Sequence, residues 1–382
     1  MRLINVDTLE LVDFCGRQPQ AYAILSHTWG DEEVSFQDIQ NLSRAARKRG
    51  FRKIEETCRL ARARGLGWAW VDTCCIDKSS SAELSEAINS MFQWYQRSCV
   101  CFAYLEDVDH APLTLISIHE SLPKSRWFKR GWTLQELLGP SQLLFYDSTW
   151  AELGLREHLS SAVSEITNID ESFLSRPSSE DINNLLARAS IAERMSWASR
   201  RSTSREEDGA YCLLGIFGIN IPLLYGEGPR AFLRLQEEII KRSNDQSIFA
   251  PEPGHVAGLL ASSPACISQS ADIVPRPTGD STSIYTITNK GLHINLPMLD
   301  AHAVLACGPR DDPTTLMTLQ LSKVDGNLWQ RSVDRGAADL GFVDQRAWQQ
   351  WTKTIQVGSS SPVYSRPLIS PPTYCQTGIT GF

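Results

Sequence analysis

Four short apolar runs, at residues 22–26, 68–71, 99–105 and 142–146, are separated by segments long enough to hold a helix each. A run of that length without polar alternation fits a strand covered on both faces, and such strands belong to parallel sheets. Parallel neighbours need long crossovers, which helices supply. The clearest crossover follows Lys78: Ser80 and Glu83 stand at capping-box spacing, and Leu84, Ala87, Ile88, Met91 and Tyr95 recur every three or four residues. A second helix is predicted over 51–64, with Ile54, Cys58 and Ala61 turned inward. Residues 1–150 are therefore read as an α/β domain, a parallel sheet flanked by helices.

A chain of 382 residues exceeds the usual size of one core, so further domains are expected. Strand signals fade over 151–250, where 187–198, 207–214 and 229–241 read as helices. Pro229 suits a first helical position, and the Tyr225-Gly226-Glu227-Gly228 turn before it lacks the Lys-Ser/Thr of a phosphate loop. Short runs at 283–288, 292–296 and 316–321, with a turn at Thr288-Asn289-Lys290-Gly291, predict a small β-rich module over 251–357. Residues 358–382, rich in Ser, Pro and Gly, read as a loose tail.

Composition excludes several classes. Hydrophobic residues at 42% and charged residues at 21% are ordinary globular values, against wholesale disorder or a fibrous chain. A net charge of −7 gives no footprint for nucleic acid. The locally basic stretch with Arg47, Lys48, Arg49, Arg52, Lys53, Arg59, Arg62 and Arg64 reads as a solvated helix face rather than an anion-binding surface. Asp7, Glu10 and Asp13 interrupt the stretch a secretory signal would need, and no run approaches membrane-spanning length, so a cytoplasmic chain without a membrane span is expected. The ten scattered cysteines read as reduced thiols. Cys74-Cys75 and Cys99-x-Cys101 lack the paired spacing of zinc knuckles, so no metal or resident cofactor is expected.

In open α/β sheets, ligands bind beyond the carboxyl ends of the strands. The first run leads into Ser26-His27-Thr28-Trp29-Gly30-Asp31, the second into Asp72-Thr73-Cys74-Cys75-Ile76-Asp77, and the third into Glu106-Asp107. Trp132, Gln135 and Glu136 precede the fourth on a helix with Leu134, Leu137 and Leu138 on its apolar side. Ser26, His27, Trp29, Gly30, Asp72, Asp77 and Trp132 are thus candidate binding residues, with Glu136 able to reach the same crevice. Each has a structural alternative: Asp72 and Asp77 could cap the loop and helix that follow, and the tryptophans could be core residues. His27 with Cys75 as a thiol nucleophile and base is a minor alternative, since it needs hydrogen-bond contact and a lowered thiol pKa.

The segments YAILSHTWG, WVDTCCIDKSSSAELSEAINSM and RWFKRGWTLQELL resemble the three signature blocks of the fungal heterokaryon-incompatibility (HET) domain. RMSWASRRSTSREEDGAYCLLGIFGINIPLLYGEGPRAFLRLQEEIIKRSNDQSIF is similar to the segment after this domain in many of its members, so the resemblance covers about residues 1–250. It implies fungal non-self recognition, with the domain as an effector that triggers programmed cell death. The domain has been likened to TIR domains, which implies a TIR/flavodoxin-like sheet. The block Trp132-Thr133-Leu134-Gln135-Glu136-Leu137 is similar to the one holding the catalytic glutamate of NAD-cleaving TIR enzymes, and Glu136 falls on that glutamate. The resemblance departs at Ser26–Gly30 and at a longer insert over about 108–126.

The resemblance further implies an NAD glycohydrolase, with Glu136 catalytic and NAD, or a related nucleotide, as substrate. The alternative is a non-enzymatic TIR-like adaptor acting by self-association. A partner incompatibility protein could activate either one. A solvent-accessible pocket shared by Glu136, Asp72 and Ser26 would favour the enzyme, and a buried or ion-paired Glu136 the adaptor.

Overall fold

A computed structural model describes residues 1–14, 21–109, 115–177, 180–250, 259–276, 286–288, 291–299, 301–325, 328–331, 340–344 and 354–356. Its main sheet has seven strands: β1 (Arg2–Asn5), β2 (Leu11–Asp13), β3 (Tyr22–His27), β4 (Trp68–Trp70), β5 (Val100–Tyr104), β6 (Leu143–Tyr146) and β7 (Glu152–Leu155). They lie in the order β2-β1-β4-β3-β5-β6-β7. The four runs expected from sequence form the parallel centre, β4-β3-β5-β6. The flanks are antiparallel, with β1 on β4, β2 on β1 and β7 on β6. Side chains alternate across a strand, and every residue of β3 and of β5 is buried, so both faces of the sheet are covered there.

Helix α1 (Phe51–Ala63) packs on β3 and β4. Of the basic stretch, Arg47, Arg49, Arg52, Arg59, Arg62 and Arg64 are exposed as a solvated face would be. Lys53 is not: it is 7% exposed. It shares the inward arc with Thr57 and Leu60, and its ammonium meets Thr28 O at 3.1 Å and Glu33 Oε1 at 2.6 Å. Helix α2 (Ser81–Arg97) starts where expected, with the Ser80 hydroxyl accepting from Glu83 N–H at 3.3 Å. Only half of the capping box forms, because the Glu83 carboxylate turns to Asp77 N–H, 2.8 Å away, and to the Arg2 guanidinium.

The sheet takes its last strand from beyond residue 150, and one cluster of buried side chains runs from Leu3 to Leu321. The helices after residue 187 are shorter than the sequence pattern suggested: Ile191–Ser196, Asp208–Tyr211 and Leu214–Phe217, with only Arg230–Ile240 near its expected length. The Leu214–Phe217 helix lies flush on α2, where a Cβ on Gly215 would overlap the Phe92 side chain. Small antiparallel sheets come next, in which the run at 316–321 extends to Thr315–Asp325. The expected tail at 358–382 lies outside the described residues. No helix among the described residues is long and apolar enough to cross a membrane.

Candidate functional site

The strand order reverses beside β3: the chain leaves β3 for β4 on one side and leaves β5 for β6 on the other. Such a reversal opens a crevice at the carboxyl ends of the strands. β3 delivers Ser26 and His27 there, both buried. The Ser26 hydroxyl donates to Glu136 Oε2 and accepts from Trp127 Nε1 at 2.8 Å. Glu136 comes from helix α3 (Thr133–Leu138), 110 residues further along the chain, and is 7% exposed. The Tyr95 hydroxyl from α2 also faces it while donating to Leu25 O at 3.0 Å.

Burial pushes the Glu136 carboxyl up to about 8, against the pull of the Ser26 hydrogen bond, with the negative charge of Asp72 adding to the rise and Arg130 and Tyr95 opposing it. Asp72 goes the other way. It heads the short helix Asp72–Cys75, receives Trp29 Nε1 at 2.8 Å, and meets His27 Nε2 at 3.0 Å. Burial alone would raise it, but the hydrogen bond from His27, the charge of Lys78 and the Trp29 N–H hold it at about 2. At neutral pH one carboxyl is protonated and its neighbour ionised.

An ionised carboxylate only accepts, so His27 Nε2 donates to it. That leaves Nδ1 buried without a hydrogen-bond partner, 3.8 Å from Glu33 Oε1. Glu33 also takes the Gly30 N–H at 2.8 Å and pairs with Lys53, which lies 3.6 Å from Glu106. Trp29 is 42% exposed, with the Lys78 ammonium 3.6 Å over its ring.

The structure therefore joins Ser26 to Glu136, and His27 and Trp29 to Asp72, with Gly30 linked through Glu33. Two other candidates turn elsewhere. The Asp77 carboxylate caps the loop into α2, accepting from Ser79 Oγ at 2.6 Å and Gln37 Nε2 at 2.9 Å. The Trp132 side chain turns toward Asp208 in the helical region. Cys75 is buried and takes the Val71 N–H at 3.4 Å, and the hydrogen bond that the Cys74 thiol gives to Cys75, with burial, pushes Cys74 well up, so Cys74 is not poised as a nucleophile. The eight cysteines among the described residues are free, and no group of three or more His, Cys, Asp or Glu there could hold a metal.

Trp127, Tyr95, Glu33 and Lys53 escaped the sequence reading as site residues. For Lys53 a signal existed, since 53, 57 and 60 recur at helical spacing on the buried face. For Trp127, a buried indole N–H needs an acceptor, but which of two nearby tryptophans supplies it is a tertiary matter.

Asp72 makes one pH prediction. Its depressed pKa adds stability that is present above the unfolded value of 3.8 and lost as the pH falls through about 2. Asp72→Asn should flatten the acid limb of an unfolding curve over that window. An unchanged limb would remove Asp72 from the site's electrostatics.

A mixed α/β protein with a cluster of buried polar side chains at its strand-order reversal is the class that fold and site define. Residues 22–117 match the family model described as heterokaryon incompatibility protein (HET). Residues 230–272 match a domain of unknown function (DUF8212). A curated relative, the vegetative incompatibility protein HET-E-1 of Podospora anserina, is 44% identical over 231 residues, covering 58% of this chain. The chain spans only 16% of that relative's length. No solved structure matches.

Proposed function

We propose that this protein is a cytoplasmic effector of fungal non-self recognition that triggers cell death by hydrolysing NAD between nicotinamide and ribose. The observation that carries the reading is the meeting of Glu136 with Ser26 at the strand-order reversal, beside an ionised Asp72. Nicotinamide leaves as a neutral base, so the reaction needs no acid. It needs negative charge near the ribose as positive charge develops, and a base for the attacking water. Asp72 is suited to the first, and Glu136, in its deprotonated form, to the second. Trp29 offers an exposed ring face, and His27 and Gly30 line the same edge. Numbered along the chain, the parallel strands run 2-1-3-4, the start of the flavodoxin-like order, which supports the TIR likeness.

The buried Glu136 favours a second reading, an adaptor that works by self-association, alone or with a partner incompatibility protein, without chemistry. Nicotinamide release from NAD, followed over rising protein concentration, separates the two. The enzyme reading expects release that steepens with concentration and falls on the order of 100-fold or more in Glu136→Gln. Equal rates in the variant overturn Glu136 as catalytic, and no release at any concentration establishes the adaptor.

A further inference from the structure

The backbone on either side of Gly131 is tied to a segment some seventy residues further along the chain. Ser202 N–H donates to Lys129 O at 2.7 Å and Gly131 N–H to Ser202 O at 2.8 Å, pairing Arg130 with Ser202 in parallel. The approach is as close as glycine allows: a Cβ at Gly131 would sit 2.5 Å from Thr203 Cγ2 and 3.2 Å from Cys212 Sγ. Next to this bridge, Arg201 Nη1 donates to Arg130 O at 2.9 Å and to Thr133 Oγ1 at 2.8 Å. Its Nη2 is buried with no hydrogen-bond partner, and Arg201 makes no ion pair among the described residues. Thr133 and Glu136 stand three residues apart on α3, hence on one face. A buried guanidinium with a free donor is expensive to keep unless it answers a charge.

We infer that Arg201 is a second counter-charge of Glu136 beside Arg130, a positioning residue that acts on the carboxyl through the Thr133 side of its helix, so that the segment around 201–212 completes the site from outside the HET match. The inference takes the site from the function proposed above but not the reaction. Burial lowers Arg201 to about 10, and the charges of Cys212 and Glu136 act against that fall. The other groups facing Glu136 are Ser26 on β3, Tyr95 on α2, Cys101 on β5, Asp72 and Arg130.

The test is the melting temperature from pH 5 to 9 of the full chain and its Glu136→Gln variant, whose difference reports the Glu136 titration. The same pair in an Arg201→Met background should show the midpoint moved up by about one pH unit, a tenfold change in proton affinity. Arg201→Lys, which keeps the charge, should restore most of it. A drop in melting temperature that is uniform in pH, with the midpoint unmoved, reduces Arg201 to scaffold and overturns the inference. Should Arg201→Met not fold, Gly131→Ala decides: it keeps both charges and pushes the bridge apart, so the midpoint must again rise, and an unmoved one overturns the proposal. Absent NAD turnover would sink the reaction and leave this titration as it stands.

Discussion

Glu136→Gln should melt higher than the unaltered protein at pH 8 and nearly level with it at pH 5. The carboxyl rises from 4.5 to about 8 on folding because burial disfavours its charged form. A group raised in this way contributes stability that is complete below the unfolded value and lost as the pH climbs through the folded one. The folded state binds the extra proton between about 4.5 and 8, so each step up in that window favours unfolding. A glutamine carries no proton to lose and keeps an oxygen for the Ser26 hydroxyl, so its curve should be flatter. Over the whole window the gap should reach on the order of 3–5 kcal/mol, or several degrees in melting temperature. A gap that is constant with pH would mean that Glu136 is ionised in the folded protein. Because the variant is expected to be the more stable one, any loss of nicotinamide release in it could not be laid to unfolding.

How much of this was legible in advance differs between the sheet and the site. The parallel centre was, because β3 and β5 are buried on both faces and so appear as unbroken apolar runs. β1, β2 and β7 were not: strands of three or four residues with mixed burial carry almost no periodicity, and the pairing of β1 with β4 joins segments distant in sequence. At the site, Ser26, His27 and Asp72 could be found as polar residues ending apolar runs. The rule cannot say which polar residue turns into the crevice. Asp77 fits it as well as Asp72 does, yet its carboxylate is consumed by Ser79 and Gln37. The same limit separates Trp127, whose N–H reaches Ser26, from Trp132, which turns to Asp208. Nor does a local pattern announce that arginines from beyond residue 150 hold the helix that carries Glu136.

Arg156→Met should be the most destabilising of these substitutions. Helix α3 ends in carbonyls with no partner in the helix, and two buried arginines receive them. Arg156 donates to Leu137 O at 2.7 Å, Pro140 O at 3.0 Å, Ser141 O at 3.4 Å and Leu174 O at 2.8 Å. Arg176 donates to Leu138 O at 3.2 Å, Gly139 O at 2.8 Å and Pro140 O at 2.7 Å. Burial and the charge of Arg176 lower Arg156 to about 10, so both remain charged at neutral pH, where the dipole of the helix end favours a cation. Methionine fills much of the volume but leaves buried carbonyls without donors, which should cost on the order of 3–5 kcal/mol and appear as a lower urea midpoint with an unchanged slope. Lysine should recover only part, since one ammonium cannot fork to carbonyls on two segments. The paired substitution Arg156→Met with Arg176→Met should cost less than the sum of the two, because the first already relieves the repulsion between them. A loss below about 1 kcal/mol for Arg156→Met would show that water satisfies these carbonyls. The Glu136 helix would then be held chiefly by its packing on α2 and β3.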